Sequence, residues 1–293
     1  MTLHAALCMP RPWHIGQKQD FLSNHRCPLA TALGIEFTHF NPQSIGAKMR
    51  VDSSITDEFG FDGNALMLIL ADHVIGAGGF VNVDVTQCRA VTSGLSINCF
   101  ESVRQGTFVA RAVRRELRAR AQQWIVDVEQ CTHSAKKLVC TAHGSVAIVT
   151  REGGVQFSEN ETAPMQRRAI AFSSGLELAD DGAEIGTIDA SFPISADQIN
   201  ELGVLHGGVL AWIAYQMTLF GSKRRIVGRQ LRLTTFTIDF MRAVFRDEIV
   251  SGEARLIYRG RNKLVWYVEL MSRERIVGGV FCTFAVGDNE CGR

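Results

Sequence analysis

The sequence of 293 residues has no excess of either charge, no paired-cysteine motif and no unbroken apolar run long enough to cross a membrane. Its 31 Lys and Arg nearly balance 30 Asp and Glu, giving a formal net charge of +1, so nothing favours bulk attraction to nucleic acid or to an anionic membrane. The eight cysteines form no C-x-x-C pair, and none stands at zinc-ligand spacing from a histidine. They are scattered, several in apolar runs, and read as the reduced, partly buried thiols of a cytoplasmic protein. Met1 to Lys18 contains no apolar segment of the signal-peptide kind. The longest apolar stretch, Ala65 to Val81, is interrupted by Asp72 and His73. A Gly-x-Ser-x-Gly nucleophile elbow and a P-loop are both missing. His4, His14, His25, His39, His133 and His143 show no ligand spacing, so neither a metal nor any other cofactor is expected.

What is present is a globular composition, 46% hydrophobic and 21% charged, and an internal repeat. Gly34-Ile-Glu-Phe, followed by polar residues and then the stretch from Asp57 to Asp72, matches Gly175-Leu-Glu-Leu, followed by polar residues and then the stretch from Asn200 to Tyr215. Gly203 lies 143 residues after Gly60, and Tyr215 lies 143 after Asp72. Ser96 to Phe100 aligns with Thr237 to Met241 at an offset of 141. Such a period is too long for a solenoid and is the size of a whole domain, so duplication and fusion is the natural reading.

Each half shows one order of elements. Short strands are expected at Ile35–Phe40 and Ala47–Val51, and at Leu176–Leu178 and Glu184–Ala190 in the second half. One long helix follows in each, near Gly63–Phe80 and Gly207–Gly221. Four strands then close each half, at about 92–100, 107–117, 123–131 and 138–149, and at about 231–241, 249–258, 264–271 and 278–285. The run Ala65 to Ala71 is apolar on every side, and a helix of that kind must be enclosed. The expected class is therefore α+β, an antiparallel sheet wrapped around one long apolar helix in each of two units. The units are bounded at 28–150 and 175–287, with a Gly-, Pro- and polar-rich linker at 151–174. Residues 1–27 read as poorly constrained, and Pro28–Leu33 as a short lead-in helix.

The sharpest motif is Asn200-x-x-Gly203-x-x-His206-Gly207-Gly208 ahead of an apolar helix. Glycines allow close approach to the backbone. The first N–H groups of a helix have no internal partners and sit at the positive end of its dipole. A carbonyl oxygen against the Gly207 N–H would be polarised there. The plainer alternative is a helix-entry turn.

On these residues, the enclosed helices and the strand Thr237 to Arg242, the sequence resembles the hotdog-fold acyl-CoA thioesterases of the phenylacetate-pathway type. The resemblance covers both halves and is clearer in the second. It implies a tandem hotdog pseudo-dimer with composite sites. In such sites one unit gives the Asn and the His-Gly-Gly helix start. The other gives an acid nine positions after its own His. The second half keeps Asn200, His206 and Gly207 but has Tyr215 at the acidic position. The first half keeps the acid, Asp72, but has Gly63, Asn64 and Ala65 where His-Gly-Gly belongs and Asp57 for the Asn. The losses are complementary: one site retains every part, and the other retains none. Random decay would as readily have spoiled both.

The resemblance implies that Asp72 activates water or attacks the thioester, that Gly207 polarises its carbonyl, and that Asn200 positions water or carboxylate. His206 would orient the loop or hydrogen-bond near the thioester, and Thr92 would supply a hydroxyl beside the acid. Asp72 has an alternative as a partner of His73 or a solvent-facing carboxylate, and Tyr215 reads as packing. Asp62 reads as the N-cap of the first long helix. The basic run Arg111 to Arg120, Lys223-Arg224-Arg225 and Arg242 are either solvated ends or contacts for coenzyme A phosphates. Hydrolysis of an acyl-CoA is the reading these residues favour, with no nucleic-acid or membrane partner and a homodimer of tandem chains as the expected assembly. A non-catalytic acyl-CoA or acyl-carrier binding module and a hotdog dehydratase or hydratase are the alternatives.

Overall fold

A computed structural model describes residues 14–24, 27–53, 55, 61–102, 105–131, 135–150, 175–182, 186–200 and 202–287. Helices α1 (Ile15–Asn24) and α2 (Pro28–Ala32) precede strands β1 (Glu36–Phe40) and β2 (Ser44–Val51). The long helix α3 (Gly63–Val81) is followed by β3 (Cys88–Cys99), β4 (Gly106–Arg118), β5 (Ala121–Cys131) and β6 (Lys136–Thr150). The second half repeats the sequence of elements: β7 (Glu177–Asp180), β8 (Thr187–Pro193), α4 (Gly207–Arg225), β9 (Gln230–Phe240), β10 (Ile249–Arg259), β11 (Lys263–Ser272) and β12 (Arg275–Gly287). The expected linker at 151–174 lies outside the described residues, as does Asp57.

All twelve strands join one sheet in the order β1-β2-β4-β5-β6-β3-β9-β12-β11-β10-β8-β7. Read outward from its middle, the sheet has the same strand order on both sides. The halves meet where β3 pairs antiparallel with β9, and Ser96 sits opposite Thr237 with their hydroxyls 3.0 Å apart. These two residues are equivalent in the sequence repeat. A residue that faces its own counterpart marks a two-fold axis, so the duplicated halves pair as a homodimer would.

The sheet curves over two central helices because those helices are apolar. In α3, every residue but Asn64, His73 and Gly76 is buried. Glycines on α3 and α4 let the sheet close down on them. A Cβ at Gly78 would lie 2.7 Å from the Trp124 ring, and one at Gly221 would lie 2.5 Å from the Trp266 ring. Both indoles are fully buried. The two tryptophan–glycine pairs are related by the repeat.

The helix ends are capped in chemically ordinary ways. Asp62 is the N-cap of α3, as expected, accepting from the Ala65 N–H at 2.9 Å. Arg224 and Arg225 pair with Asp180 at 2.8 and 3.1 Å, which ties the C-terminus of α4 to β7. Arg114 donates to the Asn82 side chain at the end of α3. The reading of these arginines as phosphate contacts is thus replaced by a structural one. One expectation is overturned: residues 15–24, read as poorly constrained, form α1. The physical reason is Lys18, whose buried ammonium donates to Val81 O at 2.8 Å and Val83 O at 2.6 Å.

Candidate active site

The first turn of α4 lies against the middle of α3, and glycine makes that approach possible. A Cβ on Gly208 would stand 2.7 Å from the Ile69 Cα, and one on Gly207 would stand 2.8 Å from Asp72 Oδ2. Asp72, on α3, therefore reaches the open end of α4. Its Oδ2 accepts the Gly208 N–H at 2.8 Å. This is a carboxylate at the positive end of a helix, the favourable arrangement for a charge held away from water.

His206 is the N-cap of α4. Its Nδ1 lies 3.0 Å from the Gly208 nitrogen and 3.2 Å from Asp72 Oδ2. Both atoms accept from the one Gly208 N–H, whose proton lies between the ring nitrogen and the carboxylate oxygen. Burial pushes the Asp72 pKa up to about 6, while the Thr92 hydroxyl and the Gly208 N–H pull against that rise. Burial lowers the His206 pKa to about 4. The pair is thus an ionised carboxylate beside a neutral imidazole at neutral pH, and not an imidazolium ion pair. Asp72 Oδ1 is buried without a hydrogen-bond partner among the described residues, leaving one acceptor for a reacting molecule.

The structure brings Asp72, Thr92, Asn200, His206 and Gly207 to the wall of one cavity of about 360 Å³. Thr92 stands where β3 and β6 slip register between residues 92 and 94, and its hydroxyl acts on Asp72 to lower its pKa. Asn200 also has a structural part that was not expected. Its Oδ1 accepts the Leu202 and Val204 N–H groups at 2.9 and 3.3 Å, and no hydrogen bond links it to Asp72. It builds the turn before α4, with Gly203 at φ 76°. Gly207 is the first residue of α4, so its N–H has no partner within the helix. The rest of the wall is mostly apolar. From the first half come Ala77, Phe80, Ala90 and Val149, and from the second Met241, Arg242 and Val244. Arg242 also donates to Ile276 O at 2.9 Å.

Sequence reasoning had considered His73 only as an ionic partner for Asp72. It stacks instead between Phe37 and His206, with centroids 5.4 and 5.7 Å away, and its Nδ1 is 3.4 Å from His206 Nε2. Its place directly after the acid, one residue round the helix, was the available signal.

The symmetry-related position is filled. The Tyr215 hydroxyl donates to Asp62 Oδ2 at 2.6 Å and accepts from Asn64 Nδ2 at 3.2 Å. Asp62 meanwhile caps α3 through its other oxygen, which accepts the Ala65 N–H. Tyr215 is packing, as expected, with a hydrogen bond as well.

A family model for the thioesterase superfamily matches residues 202–278, the stretch that runs from the turn before α4 to β12. A comparison with curated proteins finds no match. Among solved structures, the tesB protein of Mycobacterium avium subsp. paratuberculosis is similar at 8% identity and a TM-score of 0.62, covering 88% of this chain and 99% of its own. An acyl-CoA thioesterase II from Mycobacterium marinum is similar at 14% identity and a TM-score of 0.57, covering 90% and 99%. An acyl-ACP thioesterase from Bacteroides thetaiotaomicron is similar at 13% identity and a TM-score of 0.51, covering 82% and 97%. At such identities the likeness establishes the fold: the chain is a double hotdog, α+β, with both halves in one polypeptide.

Two outcomes follow from this geometry. Tyr215→Phe leaves Asp62 without its donor and should lower stability by about 1–3 kcal/mol in a denaturant titration. Asp72→Asn should raise stability at pH 7–8 by about 1–3 kcal/mol, a Tm gain of a few degrees. The folded pKa of about 6 exceeds the ordinary 3.8, so the contribution of Asp72 to stability is full below pH 3.8 and lost as pH rises through 6. The opposite sign holds for His206, whose contribution is present above pH 6.5 and lost as pH falls towards 4.

Proposed function

We propose that the chain hydrolyses acyl thioesters, with acyl-CoA as the substrate class, at one composite site between its halves. The observation that carries this is the Asp72 carboxylate of one half held against the N-terminus of α4 in the other, on the wall of an apolar cavity. A thioester needs a site that polarises its carbonyl and activates water, and both parts are present within one turn of α4. The names of the similar solved structures and the superfamily match support the same chemistry.

The steps follow from the groups. The carbonyl oxygen accepts the Gly207 N–H, which is free of intrahelical bonding and lies at the positive helix end. Asp72 Oδ1 takes a proton from water as the water oxygen attacks the carbonyl carbon. The tetrahedral intermediate collapses, the C–S bond breaks, and the proton held by Asp72 passes to the thiolate. Free acid and thiol leave. Direct attack by Asp72, giving a mixed anhydride that water then opens, uses the same groups. Incorporation of ¹⁸O from labelled water into Asp72 in a single turnover separates the two routes. Thr92 and the Gly208 N–H hold down a pKa that burial would otherwise raise further, and keep the base ionised at neutral pH.

The acyl chain occupies the end walled by Ala77, Phe80 and Ala90, and the polar carrier leaves past Arg242. In this reading residues 28–150 supply the acid and residues 175–287 the helix start, a division of labour of the kind the phenylacetate-pathway type implies. The protein is placed in the cytoplasm, where acyl-CoA is met.

Thiol release from a panel of short, medium, long and aromatic acyl-CoAs tests the proposal. Asp72→Asn should cut kcat by about 10²–10⁴-fold with binding largely retained. Equal activity in the variant would contradict the assignment. Gly207→Ala keeps its N–H but sets a Cβ against the Asp72 carboxylate, and displacement of the base should cost about 10²-fold in kcat. The rate should rise with pH through a midpoint near 6, and Thr92→Val should move that midpoint upward.

A further inference from the structure

Part of the cavity wall comes from an element that precedes the repeat, helix α1. Lys18 of α1 is 7% exposed, and its ammonium bonds the carbonyls of Val81 and Val83, where α3 ends. A cation on the last carbonyls of a helix satisfies groups that have no intrahelical donor and sits at the negative end of the dipole. Burial lowers the Lys18 pKa and the charge of Asp84 opposes that, so the contact fixes α1 in place at the cost of desolvating one ammonium. Four residues on, and so on the same face of α1, Leu22 is 4% exposed and forms part of the cavity wall.

The path from the acid to that wall runs along α3. At Gly76, one turn after Asp72, a Cβ would meet nothing nearer than the Thr92 hydroxyl at 4.0 Å, so the cavity is open there. Ala77 keeps the next position small, and Phe80 and Leu22 line the same cavity. From Asp72 to Phe80 is eight residues, roughly 12 Å at a helical rise of about 1.5 Å each.

We infer that α1, pinned by Lys18, is the end wall of the acyl compartment and that Leu22 sets the longest acyl chain the site accepts. This rests on the thioester-hydrolase reading. Leu22 makes no contact that the chemistry uses, so changing it alters length selection and leaves the acid and helix start as they are.

The experiment is a straight-chain acyl-CoA series assayed with wild type, Leu22→Ala and Leu22→Phe. Leu22→Ala should raise kcat/KM about 10-fold for chains just longer than the wild-type optimum, relative to the optimum itself. Leu22→Phe, which keeps an apolar side chain on α1, should move the optimum to shorter chains. A uniform change across all lengths in both variants would overturn the inference. If wild type hydrolyses no thioester, the hydrolase reading fails separately, and the wall is then tested by thermal shift with free n-alkanoates. A longer best-binding alkanoate for Leu22→Ala supports the wall, and an unchanged length profile overturns it.

Discussion

The hydrogen bond from the Gly208 N–H to the Asp72 carboxylate joins two helices that belong to different halves of the chain. It requires the first turn of α4 to touch the α3 backbone, a contact that leaves no room for a Cβ at Gly208. It also requires the two halves to be held in one register, which the β3–β9 pairing through Ser96 and Thr237 supplies. The long sheet, the enclosed helices and the small residues at their crossing all serve to hold one acid where water is scarce and a helix dipole is near.

A carboxylate in that position is costly, and the proposed function gives the cost a use. Burial pushes the Asp72 pKa towards the working pH, and two donors limit the rise, so the group remains a base with real proton affinity. The neutral His206 beside it adds no competing positive charge and holds the helix entry. The corresponding place in the other half is relieved of the same burden. Tyr215 puts a neutral hydroxyl in place of the acid and donates to the N-cap Asp62. Two halves in one chain can differ at equivalent positions, as Asp72 and Tyr215 do, which a true homodimer with two identical sites cannot.

Much of this was legible in the sequence because it depends on spacing and polarity. The repeat showed in matched glycines, the enclosed helices in runs such as Ala65 to Ala71, and the site in His206-Gly207-Gly208 with Asp72 as its complement. Thr92 was found by its place on the strand after the helix, although the register slip beside it is visible only in the sheet. Other features were hidden because they depend on distant partners. Lys18 in a polar segment gave no hint that it would cap α3, sixty residues away. Asn200 was read as positioning water or carboxylate, and the use of its oxygen in the turn that Gly203 completes was not legible. The arginines after α4 look like a phosphate patch until Asp180 is seen beneath them.

The central claim is that Asp72 is a buried base poised at the start of α4, and its titration reports this most directly. Carboxyl ¹³C resonances of aspartate-labelled protein, compared with those of Asp72→Asn to assign the group, should show one midpoint near 6. A resonance assigned to Asp72 that titrates near the ordinary value of 3.8 would mean that the carboxylate is solvated or ion-paired, and would contradict the account.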